Sequence, residues 1–444
     1  MRELRVENIK CFPGAALTFP SDSQGGSWCV LLGENGTGKS TLLQAIALSL
    51  LSRSSWTRLL EHPEKWVRSG APRGRVLARY EPVEAEVTDP FSVVFEVRTP
   101  SADTDLSDEE EVLSYPTPTF IQRIDVRRPG SPPFLTVGYG AFRRMESEKA
   151  QESASSRRDL AFQTLFSDEA GLHGLSDWLL RMDYLSKDMV ATKSPKERER
   201  LRNRLQAIIE VVNSLLPQDA PFRLSGVSAN GLCFDSGGGV PLSLGSMSDG
   251  YRTMFALAAD ILRHVVIQNP LMSIDRVLKH DQDGRILVDI PGIVLIDEVD
   301  AHLHPKWQQE IGSYLRRTFP RVQFIVASHS PFVAQAATEG GLYSLRRADD
   351  ASSVVVEPLR SVQGMAAEEI LLSPAFGLET TRDPETETLL AEHSRLRALR
   401  ARRPLAADEE ARLVELSQRL ESVLALEQAY ARSVLEQIRK GPAQ

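Results

Sequence analysis

The chain has 444 residues, of which 42% are hydrophobic and 25% charged, a composition that excludes a disordered or fibrous protein and leaves room for two or three domains. Lysine and arginine number 52 against 60 aspartate and glutamate residues, and the net charge of -8 argues against a protein that coats nucleic acid over its whole surface. The three cysteines form no Cys-x-x-Cys pair, and no run approaches the roughly 18 apolar residues of a membrane span. We therefore expect a cytoplasmic protein with no membrane partner, in which any nucleic-acid contact is a local basic patch.

The first 51 residues predict strands, a glycine-rich turn and a helix. Short strands are expected at 4–9 and 15–19, and the continuous apolar run 28–32 is typical of a strand buried on both faces. The alanine-rich segment 40–51 predicts a buried helix. This order of strand, loop and helix opens an α/β nucleotide domain.

Between about residues 72 and 139 the pattern changes to alternating, strand-like runs. They lie at 76–80, 91–97, 119–126 and 134–137, and an acidic stretch at 101–111 interrupts them. This pattern favours an antiparallel, β-rich inserted subdomain with one loop.

Residues 141–217 have a helical pattern, and Ser194-Pro195-Lys196-Glu197 matches a capping box with proline at the first helical position. A hairpin-like pair follows, and the α/β rhythm then returns. In chain order we expect strands at 222–227 and 231–235, a helix at 249–266, a strand at 293–296, a helix at 305–318, a strand at 322–327, a helix from Pro331, and strands at 342–345 and 353–356.

From Pro384 the composition is that of long surface helices, with a break at Arg403-Pro404. The pattern fits a helical hairpin folded against the body, and it also fits a docking or dimerisation arm. The sequence leaves both interpretations open.

Residues 33–40 read Gly-Glu-Asn-Gly-Thr-Gly-Lys-Ser and match Gly-x4-Gly-Lys-Ser/Thr between a buried strand and a helix. In such a P-loop the backbone N–H groups face phosphate oxygens, the lysine reaches the β and γ phosphates, and the serine hydroxyl ligates Mg²⁺. The alternative is a glycine turn with an exposed lysine, which the strand and helix on either side disfavour. The predicted phosphate-binding residues are Asn35, Gly36, Thr37, Gly38, Lys39, Ser40 and Thr41, with Ser40 also a metal ligand.

A P-loop needs a carboxylate at the end of a neighbouring strand, and the apolar run 293–296 is followed by Asp297 and Glu298. Asp297 is placed to hold the metal through water, and Glu298 is suited to polarise the attacking water. Two acids can also end an ordinary strand, but the P-loop favours the catalytic interpretation.

A second buried run, 324–327, leads into Ser328-His329-Ser330-Pro331. A histidine at the end of the next strand of a P-loop sheet would lie beside the γ phosphate and sense its presence. A structural role is the alternative for His329.

The predicted helix at 249 is preceded by Ser248 and contains Gly250 in its first turn. Such residues either cap a helix or present free N–H groups to a phosphate. The order of P-loop, Ser-x-Gly helix start, Asp-Glu strand and histidine strand resembles the ABC-type ATPase heads of the SMC, RecF and OLD-like group, over about residues 1–50 and 240–345. The resemblance implies that Ser248 and Gly250 bind the γ phosphate of ATP held by another subunit, and that Asp300 belongs to the D-loop.

Two positions depart from the group's Leu-Ser-Gly-Gly-Gln signature, since Asp249 replaces the first glycine and Tyr251 the glutamine. A carboxylate near a triphosphate is repulsive unless it points away. The stretches 299–307 and 138–144 are similar to those of RecF-like ATPases of bacterial defence islands, including the Septu ATPase subunit, and 138–144 occupies the Q-loop region.

The chain differs from two members of this group, the SMC proteins and the OLD nucleases, in its domain organisation. About 200 residues separate the P-loop from the signature, too few for the long coiled coil that SMC proteins have between these motifs. An OLD nuclease would carry a Toprim domain after the last strand, whereas only Asp349-Asp350 and a helical tail follow here. We expect no nuclease site in this chain, so that cleavage would belong to a partner.

One basic cluster stands out before and within the predicted helix that Ser194 opens, and it either faces phosphates or is a solvated helix face. The candidate DNA contacts are Lys193, Lys196, Arg198, Arg200 and Arg202.

The predicted fold is α/β, a P-loop ABC-type ATPase head with a mixed central sheet flanked by helices, an inserted β/helical region and a C-terminal helical extension. The predicted segments are 1–71, 72–140, 141–221, 222–358 and 359–444. The predicted function is that of an ATPase that uses ATP and Mg²⁺ and forms a homodimer or higher oligomer around ATP. We expect it to serve as the ATPase or sensor subunit of an anti-phage defence or DNA-repair complex, with a nuclease or effector partner. The alternative is a nucleotide-locked scaffold with slow or no hydrolysis.

Overall fold

A computed structural model describes residues 1–20, 26–81, 91–98, 133–143, 158–172, 175–188, 194–216, 222–228, 231–235, 241–242, 246–269, 274–348 and 352–421. The chain forms two compact units, Met1–Ile370 and Leu371–Gln444. The five-part division of the sequence stays a prediction. No helix in the described ranges is both long enough and apolar enough to cross a membrane.

The first unit is built around a mixed sheet of six described strands. The strands are β3 (Ser27–Gly33), β6 (Leu135–Tyr139), β12 (Gly292–Ile296), β13 (Val322–Ser328), β14 (Leu342–Arg347) and β15 (Val354–Pro358). Their order in the sheet is β15-β14-β3-β13-β12-β6. All of them run parallel except β15, which pairs antiparallel with β14 at one edge. Nearly every residue of β3, β12 and β13 is buried, as expected for strands covered on both faces. The predicted α/β class with a mixed central sheet is confirmed.

The described residues of this unit also form three smaller sheets. Their strands are β1 (Glu3–Ile9), β2 (Phe12–Thr18), β4 (Arg73–Tyr80), β5 (Phe91–Arg98), β7 (Arg223–Ser228), β8 (Gly231–Asp235), β9 (Pro241–Leu242), β10 (Leu278–His280) and β11 (Ile286–Val288). The strand orders are β2-β1-β4-β5, β7-β8-β9 and β10-β11. The helices of the unit are α1 (Lys39–Ser49), α2 (Arg53–Leu59), α3 (Gln163–Phe166), α4 (Leu175–Lys187), α5 (Pro195–Leu215), α6 (Asp249–Ile267), α7 (Pro305–Thr318) and α8 (Pro331–Gln335); α9 (Ala367–Leu371) reaches the boundary between the units.

The strands expected at 72–140 do not all pair in one antiparallel sheet, because the described ones belong to two different sheets. β4 pairs with β1, and β5 pairs with β4, so these strands extend the amino-terminal antiparallel sheet. β6 instead runs parallel to β12 in the central sheet. The burial patterns explain why the strands join different sheets. β4 alternates between buried and exposed residues, as in a sheet with one exposed face, whereas all of β6 is buried, as in a sheet covered on both faces. The runs 101–111 and 119–126 lie outside the described residues.

The helix α5 begins as the sequence predicts. The Ser194 hydroxyl accepts a hydrogen bond from the Glu197 N–H at 3.3 Å, and the Glu197 carboxylate accepts one from the Ser194 N–H at 3.0 Å. This reciprocal cap satisfies two N–H groups that the helix itself leaves free. The second half of the helix buries an apolar face, formed by Leu205, Ile208, Ile209, Val211 and Val212.

The second unit contains a helical hairpin, α10 (Pro384–Arg402) and α11 (Ala407–Arg419). Leu396, Leu413 and Leu416 form its buried core. Ion pairs of Arg419 with Glu385 and of Arg412 with Glu392 join the helices in antiparallel register. Because these pairs are exposed, the leucines provide most of the stability of the hairpin.

Candidate functional site

The predicted chemical residues meet at the carboxyl edge of the central sheet. β3 ends at Gly33, β13 ends at Ser328 just before His329, and β12 ends at Ile296 just before Asp297 and Glu298. β13 lies between β3 and β12, so the histidine strand separates the P-loop strand from the acidic strand. Parallel strands end on the same side of a sheet, which places all three groups in one cleft.

The P-loop has the backbone conformation that its glycines allow. Gly33, Gly36 and Gly38 have φ values of 154°, 75° and 83°, and Gly38 forms the left-handed N-cap of α1. A Cβ on Gly33 would lie 2.5 Å from the Leu345 carbonyl oxygen, so the loop depends on glycine there.

Lys39 is held inside the loop. Its Nζ donates to the carbonyl oxygens of Gly33 at 2.7 Å and Glu34 at 2.9 Å, and the Thr37 hydroxyl donates to the same Glu34 oxygen at 2.8 Å. Burial lowers the pKa of Lys39, and the carboxylates of Asp297 and other nearby acids oppose this shift. The hydrogen-bond partners of this desolvated ammonium among the described residues are neutral carbonyls, which makes it a suitable group for phosphate oxygens.

The remaining P-loop residues fit a triphosphate with Mg²⁺. Asn35 and Gly36 are exposed at the loop tip, Ser40 is exposed in the first turn of α1, and Thr41 is buried. The first turn of α1 contains no acidic residue, so its free N–H groups and partial positive charge favour an anion. Ser40 and Asp297 are oxygen donors of the kind that Mg²⁺ prefers, and the ion would screen the charge on the phosphates. Among the described residues, no cluster of three or more histidine, cysteine or acidic side chains is arranged to hold a metal.

The acidic turn after β12 has an unusual backbone. Glu298 has a φ of 44°, in the left-handed region that costs energy for residues other than glycine. Its N–H donates to Asp297 Oδ1 at 3.1 Å, and the Asp297 N–H donates to the Tyr139 carbonyl oxygen at 2.8 Å. Asp297 is buried and Glu298 half-buried, so one acid lies deep in the cleft and the other at its surface.

His329 lies at the mouth of the cleft and is exposed. Partial burial lowers the pKa of His329, the Lys39 ammonium adds to this effect, and the carboxylates of Asp300, Glu298 and Asp297 oppose it. These mutual effects show that the histidine, the lysine and the acids share one electrostatic environment. The structure thus brings together the residues that the sequence predicts from three separate strands.

Gln308 on α7 connects the turn after the acids to the histidine loop. Its Nε2 donates to the carbonyl oxygens of Leu303 at 2.9 Å and Asp300 at 3.4 Å, and its Oε1 accepts from the Ser330 hydroxyl at 2.8 Å. The side chain of Asp300 has a buried Oδ1 with no hydrogen-bond partner among the described residues.

The signature-like segment presents one polar group and buries another. Ser248 is the N-cap of α6 and is exposed, and its hydroxyl makes no cap hydrogen bond. Gly250 is buried, and a Cβ there would lie 2.8 Å from the His302 carbonyl oxygen. Ser248 is therefore accessible to a phosphate, whereas Gly250 packs against the turn that contains Asp300.

The two departures from the signature have local physical explanations. The exposed carboxylate of Asp249 pairs with Arg252, which compensates its charge. Tyr251 packs edge-on against Phe222 and Trp307, with ring centroids 4.5 and 4.2 Å away. Tyr251 thus anchors the start of α6 to α7 and to the residue that precedes β7.

Three site residues were missed at the sequence level. Arg143 donates to the backbone of both Asp297 and Glu298, Gln308 bridges two loops, and Arg347 Nη2 lies 3.1 Å from where a Cβ on Gly36 would be. Of the three, only Arg143 lies in a segment, 138–144, that the sequence analysis had related to the Q-loop region. Gln308 and Arg347 could not be found without the packing of α7 and β14.

The basic candidates lie on α5 as far as they are described. Lys196, Arg200 and Arg202 are exposed and Arg198 is half-buried, while Lys193 lies outside the described residues. Residues four apart share a helix face, so Lys196 and Arg200 lie on one face and Arg198 and Arg202 on another. The structure therefore places them in two short rows.

Comparison with known proteins identifies the family. A family model described as "AAA domain, putative AbiEii toxin, Type IV TA system" matches residues 29–334, which include the P-loop, both acids and His329. The chain belongs to this family. The expectation of a P-loop ATPase domain is confirmed at the level of the family.

The chain of this AAA domain protein is also similar to several curated proteins. It is 26% identical over 383 residues to Septu protein PtuA of Bacillus mycoides (strain KBAB4), a match that covers 86% of this chain and 45% of the relative. It is 45% identical over 100 residues to the Retron Vc95 probable ATPase of Vibrio cholerae serotype O1 biovar El Tor, covering 22% of this chain and 17% of that protein. The chain therefore spans less than half the length of these relatives. The predicted resemblance to the Septu ATPase subunit is confirmed.

Solved structures also align with the chain. An SMC head bound to the C-winged helix domain of ScpA has a TM-score of 0.46 at 15% identity, and the alignment covers 81% of this chain and 97% of that one.

Proposed function

We propose that this chain binds and hydrolyses ATP with Mg²⁺ at the carboxyl edge of its central sheet. The observation that carries the proposal is the convergence of Lys39, the acids Asp297 and Glu298, and His329 at the ends of three neighbouring strands. Family membership and the relatives named as probable ATPases support it.

In this proposal each residue has a separate task. Lys39 exchanges its two carbonyl partners for β and γ phosphate oxygens, and the N–H groups of the loop and of α1 bind the rest of the triphosphate. Glu298 orients and polarises the attacking water, and His329 contacts the γ phosphate and reports its presence. Ser40 and Asp297 hold the metal.

We further propose that two copies close around ATP. The exposed hydroxyl of Ser248 would contact the γ phosphate held by the other copy, and the half-buried residue Asp300 would lie near the same boundary. The buried position of Gly250 favours a packing role for that residue, with its contribution to the phosphate limited to the backbone.

We place this ATPase in a bacterial defence complex, as the subunit that senses a trigger and controls a nuclease or effector partner. The similarity to a Septu protein over most of the chain and to a retron ATPase supports this assignment over DNA repair. Because the chain spans less than half of those relatives, the partner remains a proposal.

The decisive experiment measures ATP hydrolysis and oligomeric state of the purified chain, together with Lys39→Ala and Glu298→Gln. We expect both variants to lose turnover, by about 10²–10⁴-fold for the glutamine variant. Glu298→Gln should also form more stable dimers in ATP, because it binds the nucleotide without cleaving it. Assembly in ATP without measurable turnover by the unsubstituted chain would favour the nucleotide-locked scaffold instead.

A local DNA contact through the amino-terminal half of α5 is a separate proposal, with Lys193, Lys196, Arg198, Arg200 and Arg202 as candidates. Binding of a short DNA duplex should weaken steeply with salt, and the double variant Lys196→Gln/Arg200→Gln, whose residues share one helix face, should reduce the salt slope by about two. Matched substitutions of Arg400 and Arg402 on the hairpin provide the control. An unchanged slope in the α5 variant would leave these residues as a solvated helix face.

A further inference from the structure

Arg143 lies directly behind the turn that carries the two acids. Its side chain is buried, with 6% of the residue exposed. Its Nη1 donates to the carbonyl oxygens of Asp297 at 2.6 Å and Gly140 at 3.3 Å, and its Nη2 donates to that of Glu298 at 2.8 Å. The guanidinium therefore binds two consecutive backbone carbonyls of the acidic turn.

The backbone that Arg143 holds is the strained one. Glu298 has a φ of 44°, a conformation that persists only where the surroundings determine it. Both main-chain polar groups of Glu298 are engaged. The carbonyl accepts from Arg143 and from the Ala301 N–H at 2.9 Å, and the N–H donates to Asp297 Oδ1 at 3.1 Å. The direction in which the Glu298 side chain leaves the backbone depends on this conformation.

The position of Arg143 is a costly one for a residue that only stabilises the fold. Burial lowers the pKa of Arg143 to about 10, so it stays charged at neutral pH, and its Nε has no hydrogen-bond partner among the described residues. Its hydrogen-bond partners among the described residues are neutral carbonyls, and the carboxylates of Asp297, Asp300 and Glu298 partly offset its desolvation, so the interactions of its charge are directed at the acidic turn. A positional task explains this placement better.

We propose that Arg143 is a positioning residue that holds Glu298 in the backbone conformation needed to activate water. The guanidinium binds the carbonyls on both sides of the Glu298 Cα, and the planar fork of arginine can bridge two acceptors where lysine offers a single point charge. Arg143 itself contacts no reacting atom. The inference rests on the proposed function, because it assigns Glu298 its task.

The test uses the full chain with Arg143→Gln and Arg143→Lys, each alone and combined with Glu298→Gln. We expect Arg143→Gln to reduce kcat by about 10²-fold, as small misplacements of catalytic groups do, with little change in the affinity for a non-hydrolysable ATP analogue. Arg143→Lys should recover part of kcat. In the Glu298→Gln background the Arg143 substitution should cause no further loss, since both act through one group.

Arg58→Gln is the matched control, because Arg58 also donates to a buried partner, Asp159, in contacts that involve neither the acidic turn nor the P-loop. It should lower the melting temperature without lowering kcat. Unchanged kcat in Arg143→Gln, or equal losses with and without Glu298, would overturn the proposal.

A structural readout separates this inference from the proposed function. If the unsubstituted chain hydrolyses no ATP, the proposed function fails. A crystal structure of Arg143→Gln, or of Arg143→Lys if the former does not fold, then decides the positioning claim. Glu298 should leave the left-handed region in the variant, and retention of a positive φ would refute the role of Arg143.

Discussion

The charge of the His329 imidazole depends on pH near neutrality. Because its pKa lies below the usual 6.5, the ring is neutral at pH 7 in the free protein and gains a proton only at lower pH. If the neutral ring is the active form, kcat/KM should fall as the pH drops through this lowered pKa.

The measurement is the pH profile of kcat/KM, which reports the free enzyme. We expect the acid limb to have its midpoint below 6.5 and to disappear in His329→Gln, leaving a lower and flatter profile. An acid limb that survives the substitution would assign that proton to another group.

Arg347 is a second residue whose contribution to ATP binding can be measured. Its Nη2 lies beside Gly36 at the tip of the P-loop, and within the described chain it makes no ion pair. We expect Arg347→Ala to raise the KM for ATP about tenfold with little change in kcat, the loss of one charge-assisted hydrogen bond.

Arg346 is the matched control, because it is the neighbouring arginine on β14 and pairs with Glu357 on β15. Adjacent residues of a strand point to opposite faces. Arg346→Ala should leave KM unchanged, and a similar rise in both variants would mean that the loss of surface charge in general is responsible.

Among the elements, α6 is fitted closely against the turn after the acids. A Cβ on Gly250 would lie 2.8 Å from the His302 carbonyl oxygen and 3.0 Å from Trp307 Cζ3, and a backbone atom cannot move aside cheaply. Gly250→Ala should destabilise the chain by about 1–3 kcal/mol through overpacking. It should also lower ATPase activity, because the displaced turn contains Asp300.

Thermal unfolding and steady-state hydrolysis measure both effects. Gly14→Ala serves as the control, since a Cβ at Gly14 would meet nothing within 4 Å. Equal melting temperatures for Gly250→Ala and the unsubstituted chain would show that α6 and the turn can separate without cost.

In the whole molecule, the predicted site belongs to one unit. Every candidate nucleotide-binding residue lies within Met1–Ile370, and the hairpin of the second unit has its own leucine core. A chain that ends at residue 370 should therefore bind ATP with unchanged affinity, as measured by titration with a fluorescent analogue. Loss of binding, with the circular dichroism spectrum of a folded protein, would show that the second unit contributes to the site.

The sequence predicted the fold class and the main site residues because these depend on local patterns. A buried strand needs a continuous apolar run, a phosphate loop needs glycines at fixed spacing, and the cap of α5 needs Ser194 and Glu197 three residues apart. Each requirement is met within a few consecutive residues, so each can be recognised without knowing what packs against them.

Only the tertiary structure decided which strands are partners and which distant residues support the site. β6 joined β12, across some 150 residues of chain, because both are buried on two faces, and alternation alone does not specify a partner. In the same way, Arg143, Gln308 and Arg347 acquire their contacts through the packing of separate elements. Their side chains carry no local signature, since the carbonyls they bind and the loop they face are brought to them by the fold.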